Sequence, residues 1–233
     1  MGFDLDSRIL ALAIARMVDA LANSFLVVVL PLYIGQVVAL PAVVGTNVAL
    51  AGVAFTVTPE LLIGVVLSLF GFLNSFGQPF TGSWSDRTGK RKAFLVSGLG
   101  LVAVGSAGYI YFRSYEAVLA MRALQGVGAA FTIPVTVALV NEYSDASERG
   151  GNFGLFNTFR LLGFGVGALV AGVVVSAGPY EVSGLTVSGF DAAFLVAVVG
   201  ALLSIALITV LIRDPERPDD EASKDISIRV RNP

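Results

Sequence analysis

The sequence contains no cysteine and no histidine. Disulfide scaffolds, thiolate nucleophiles and Cys-ligated metals are therefore excluded, as are Ser-His-Asp catalysis, His-ligated zinc and haem held by His. Charge is scarce as well. Asp, Glu, Lys and Arg make up 14% of the 233 residues, against about 25% in an average soluble domain. What fills the chain is apolar: 55% of residues are hydrophobic, 26 are glycine, and the mean hydropathy is +0.82. This composition excludes a disordered chain, a nucleic-acid binder and an ordinary cytosolic enzyme, and points to an integral membrane protein. The net charge of −2 decides little. Where the charges fall decides more.

A helix needs about 20 mostly apolar residues to cross a hydrocarbon core of about 30 Å. Six stretches qualify: 9–34, 61–80, 93–112, 117–140, 153–177 and 192–212. The second follows Thr58-Pro59-Glu60, a good helix start. Residues 37–57 are also apolar, but Pro41, Gly45, Asn47 and Gly52 interrupt them. They read as a long outer connection, helical in part. The first span is too long for a signal-peptide core and carries Arg16 and Asp19. The expected organisation is an all-α integral membrane bundle over 1–212 and a polar cytoplasmic tail over 213–233.

Basic residues orient such a bundle. Arg8; Arg87, Lys90, Arg91 and Lys92; Arg149; and Arg213, Arg217, Lys224, Arg229 and Arg231 all fall on the side of the two termini. The opposite side holds Arg113 alone, while Arg16, Arg122 and Arg160 lie within spans. Both termini are therefore expected in the cytoplasm, with the chain crossing the cell membrane an even number of times.

A charged side chain near the centre of a membrane helix costs about 2.5–3.5 kcal/mol on insertion scales. The first span nevertheless carries Arg16, Asp19 and Asn23, spaced by three and four so that they share one helical face. Asp19 lies roughly 15 Å along the helix from Ile9, near mid-bilayer. Two readings compete: a structural Arg16–Asp19 pair, or a cavity-facing carboxylate that takes a proton or a cationic substrate. Dehydration favours the neutral acid and a nearby Arg favours the charged form. The fourth span repeats the pattern with Arg122 and Gln125. Spans one and four would be equivalents in an inverted three-plus-three repeat. Arg122 could alternatively snorkel to the outer headgroups. Asn74 and Gln78 in the second span suit helix–helix hydrogen bonds better than a cavity lining.

After the second span the chain reads Gly82-Ser-Trp-Ser-Asp86-Arg87-Thr-Gly89-Lys90-Arg91-Lys92. Gly82 permits close helix approach, Asp86 can accept from arginines or a helix N-terminus, Gly89 allows a sharp turn, and the bases fix orientation. The spacing resembles the loop 2–3 signature of the major facilitator superfamily, G-x-x-x-D-R/K-x-G-R/K-R/K. Arg122-x-x-Gln125-Gly126 looks like the fourth-span motif of proton-coupled members, where the arginine is tied to coupling. Gly154, Gly163, Gly167 and Gly172 follow the glycines of the efflux-antiporter motif G-x8-G-x3-G-P-x2-G-G. Ala168 stands for its proline and Ala171 for one glycine, so a small-residue packing face remains without the proline bend.

The resemblance covers the membrane region and corresponds to the first half of that family's twelve-helix fold. It implies six helices in two inverted three-helix repeats and proton-coupled export of a small organic solute by alternating access. A transport and coupling role is expected of Asp19, Arg16 and Asn23 from their place within the first span, and the resemblance extends it to Arg122 and Gln125. The resemblance implies a conformational latch at Gly82, Asp86, Arg87, Gly89, Lys90 and Arg91, and helix packing at Gly154, Gly163, Gly167 and Gly172. It implies no cofactor. The partners implied are lipid, the solute, protons, and a second six-helix half or second copy, without which Asp86 lacks its usual counterpart. The alternative is a non-transporting assembly subunit or a truncated remnant. An intramembrane enzyme lacks support, since no GxGD-type aspartate pair is present.

Overall fold

The computed structural model describes residues 7–212 and Asp214. Apart from Asp214, the tail expected over 213–233 lies outside the described residues. Six long helices follow in order: α1 (Ser7–Gln36), α2 (Pro59–Thr88), α3 (Arg91–Tyr111), α4 (Tyr115–Glu142), α5 (Arg149–Ala177) and α6 (Gly189–Leu211). All six are long and apolar enough to cross a bilayer.

Hydroxyl caps fix the starts of α2, α4 and α6. Thr58 Oγ1 accepts from the N–H of Leu61 at 3.3 Å, with Pro59 in the first turn. Ser114 caps α4 through Ala117 N–H, and Ser188 caps α6 through Asp191 N–H. Helix α2 continues to Thr88 before Gly89, at φ 67°, turns the chain back with its N–H on Ser85 O. The loop expected from residue 81 is thus only Gly89 and Lys90, and Gly82, Asp86 and Arg87 are helical.

The segment after α1 is not helical. It forms a hairpin, β1 (Asn47–Leu50) against β2 (Val53–Thr56), with Leu50 paired to Val53 across Ala51-Gly52. A second hairpin, β3 (Tyr180–Val182) with β4 (Leu185–Val187), joins α5 to α6 around Ser183-Gly184. Both central residues of each turn have positive φ, as a two-residue type I′ connection requires. The fold is therefore a helical bundle with two small hairpins on one side.

Helix α1 packs on α5 and α6, α4 packs on α2 and α3, and α3 meets α6. Apart from α3 and α4, helices adjacent in sequence touch far less. Two apolar clusters fill the bundle. One gathers Phe25, Tyr33, Leu62, Tyr109, Tyr115 and Phe194 towards the hairpin side; the other gathers Leu12, Leu95, Leu139, Phe156 and Ile208 towards the opposite side. Helices α2 and α5 bury the smallest share of their spans, 11% and 17% against 50% for α1. On α2 the rings of Phe72, Phe76 and Phe80 form an exposed row with centroids 6.0 and 5.6 Å apart.

Candidate functional site

Between the two apolar clusters lies a polar layer. The α1 stretch that separates Leu12 from Phe25 holds Arg16, Asp19 and Asn23. Arg16 Nη1 donates to Asp19 Oδ2 in an ion pair whose side chains are 15% and 18% exposed. Both residues and Asn23 line a cavity of about 210 Å³, together with Asn74 of α2, Gln125 of α4 and Arg160 of α5. A neighbouring opening of about 630 Å³ shares Arg16 and Arg160 and adds Asn157, Phe153 and Phe156. A recess of about 20 Å³ beside Arg16 and Asp19, with Thr132 and Thr136 on its far wall, has room for a water. Asp19, Asn74, Gln125 and Arg160 each lie roughly 16–26 Å along their helices from the side opposite the hairpins, so the layer is near mid-bilayer.

Arg122 stands behind this wall. It is 2% exposed, not snorkelled to a headgroup region. Its Nη1 donates to Gln125 Oε1 at 3.1 Å and its Cζ lies 4.3 Å from the centroid of the Phe70 ring. Its Nε is buried without a partner, and no carboxylate pairs with it among the described residues. Gln125 is the hub: it also accepts from Tyr109 Oη at 3.1 Å and donates through Nε2 to Ser106 Oγ at 3.0 Å. Tyr109 O in turn accepts from Tyr33 Oη at 2.8 Å, which ties α1 to the network. Asn74 and Gln78 bond each other along α2, Gln78 Nε2 donating at 3.1 Å, instead of crossing between helices.

The glycines of α5 divide into two kinds. A methyl group on Gly163 would collide with the backbone carbonyl of Met17, and one on Gly167 would lie 2.6 Å from Leu21 O. Ser24 Oγ adds a hydrogen bond to Phe164 O at 2.6 Å. These contacts press α5 against the face of α1 beside Asp19. Gly154 and Gly172 have nothing within 4 Å of an added Cβ.

At the end of the bundle away from the hairpins, Arg91 joins two carboxylates. It donates to Asp86 Oδ1 at 2.9 Å and clasps Glu142 at the end of α4. Asp86 therefore has a partner within this chain, and Glu142 is a member that the loop motif did not indicate. A methyl group added at Gly82 would lie 3.4 Å from Pro134 Cβ of α4, in ordinary van der Waals contact. Arg87 closes the last turn of α2, and Lys90 precedes α3. Lys92 N–H donates to Asp214 Oδ1 at 2.7 Å, and its Nζ to Thr209 O at 2.5 Å. Among the described residues, no group of three or more His, Cys, Asp or Glu is placed to hold a metal.

The family model described as Major Facilitator Superfamily matches residues 12–231. The chain belongs to that superfamily. Among its relatives there, citrate exporter 1 of Aspergillus niger is 26% identical over 157 residues, covering 67% of this chain and 28% of the relative. Multidrug resistance protein 1 of Bacillus subtilis is 27% identical over 183 residues, covering 74% and 44%. The human organic anion transporter MFSD10 matches in structure with a TM-score of 0.65 at 19% identity, over 90% of this chain and 49% of that one. This superfamily chain thus spans between a quarter and a half of the length of these relatives. The likeness is to transporters, not to enzymes, and the six-helix bundle is that of the superfamily.

Proposed function

We propose that this bundle is the substrate-holding half of a secondary active transporter that exports a small organic solute by alternating access, coupled to protons. The observation that carries the reading is the polar layer itself. An ion pair, three amides and a further arginine surround a cavity at mid-bilayer, where charge is costly unless it serves a water-filled path. Apolar clusters seal the layer above and below, as a site alternately exposed to either side requires. The two sparsely buried helices, α2 and α5, contribute Asn74 and Arg160 to the cavity. Their open faces suit a second six-helix half or a second copy closing the far wall. Asp19 is the proton-carrying group, with Arg16 its partner in the unprotonated state. Gln125 relays its state to Arg122. The Asp86–Arg91–Glu142 cluster latches one conformation. The balance of basic residues supports cytoplasmic termini, in a chain that we read as crossing the cell membrane. Export is supported by the names of the relatives.

The test is solute movement in proteoliposomes with and without an imposed pH gradient, using the chain alone and the chain joined to any six-helix partner. Gradient-dependent movement in either preparation is the expected result. A folded chain that moves no solute in both identifies a non-transporting subunit.

A further inference from the structure

We propose that the cavity selects an organic anion, held by Arg160 together with Arg16. This deepens the transport reading and rests on it. Two observations carry it. The first is the balance of charge. Arg16, Asp19 and Arg160 are the charged residues lining the 210 Å³ cavity, and Arg16 and Arg160 are those lining the 630 Å³ opening beside it. Asp19 is already engaged by Arg16. A cation entering here would have to compete with a guanidinium for the sole lining carboxylate.

The second is the state of Arg160. Its Nε donates to Asn157 Oδ1 at 3.0 Å, which holds the guanidinium plane, and no carboxylate pairs with it among the described residues. Its two Nη groups are the donors that a carboxylate, sulfonate or phosphonate accepts in a bidentate fork. Asn23, Asn74 and Gln125 on the facing helices bring amide groups to the same cavity. Behind Gln125 and Phe70, the buried guanidinium of Arg122 adds a second positive charge with no carboxylate against it. Fixed positive charge in a low-dielectric wall attracts an anion and repels a cation. The aromatic side chains of Phe70 and Phe164, also in the lining, leave space for an apolar body behind the anionic head.

Ile133 lines both openings and the chain has no cysteine, so Ile133→Cys provides a single reporter. The purified 233-residue chain carrying it is labelled with a maleimide in the presence of benzoate, citrate, or the cation tetraphenylphosphonium. The expected result is that at least one of the two anions slows labelling tenfold or more and the cation does not. Arg160→Gln then raises the half-protecting anion concentration at least tenfold, Arg160→Lys raises it less, and neither moves the melting midpoint. Equilibrium dialysis of radiolabelled benzoate and citrate against the chain without the cysteine checks the same affinities. Protection by the cation alone, by neither anion, or undiminished by Arg160→Gln overturns the proposal. Transport of tetraphenylphosphonium in proteoliposomes would sink the anion assignment while leaving the transporter reading standing. Anion protection without any transport would do the reverse.

Discussion

Asp19 and Arg16 form the one ion pair within the polar layer, and their substitution separates two roles. With Asp19→Asn, a half-buried guanidinium loses its counter-charge. Removing one partner of such a pair costs about 3–5 kcal/mol in soluble proteins, so the unfolding midpoint in detergent should fall. Adding Arg16→Gln should restore the midpoint. If Asp19 carries the proton, pH-gradient dependence of transport is lost in both variants. A stable Asp19→Asn protein with full gradient dependence would reject the coupling role. Asp19, Arg16 and Asn23 were readable as one face from their spacing alone. Arg160 was as readable, since a charge well inside an apolar span is a site candidate on energetic grounds. Its neighbour at helical spacing is the neutral Asn157, not an opposite charge. What sequence could not supply is the neighbour across helices: Phe70 under Arg122, or Ser106 and Tyr109 around Gln125, depend on which helix faces which.

At the scale of elements, the six spans were legible because each is a long apolar run ended by a cap, glycine or charge. The hairpins were not. Their turns are Ala51-Gly52 and Ser183-Gly184, without the Asn or Asp that usually announces a positive φ at the first position. Alternation in Asn47–Leu50 and Val53–Thr56 is hidden because nearly every residue there is apolar. The α1–α5 seam gives a graded prediction. Gly163→Ala should cost about 1–3 kcal/mol, as overpacking against unyielding backbone does, while Gly154→Ala and Gly172→Ala should leave the unfolding midpoint unchanged. Equal midpoints for all three would mean that α1 and α5 do not meet as described. The loop between α2 and α3 gives a second prediction. Arg91→Gln removes both halves of the Asp86–Glu142 bridge and should raise hydrogen exchange across residues 85–94. Asp86→Asn should have a smaller effect on exchange, because its side chain is 64% exposed against 32% for Glu142.

For the whole molecule, the hairpins and the Arg91 cluster mark opposite sides of the membrane. Single cysteines in this Cys-free chain can test which side is which. Ala49→Cys should be labelled by an impermeant maleimide added to intact cells, and Ala146→Cys only after permeabilisation. The opposite pattern would invert the topology. The packing order carries a further consequence, for how the protein is made. Helix α1 finds its neighbours in α5 and α6, and α2 finds its neighbour in α4. During synthesis the first three helices therefore enter the bilayer as separate lipid-solvated spans, since they scarcely touch one another. The docking partners of α1 do not exist until the last third of the bundle has been translated. Assembly is in this sense deferred, and a ribosome halted after α3 would leave three inserted helices with their packing faces, Met17 and Leu21 among them, turned to lipid.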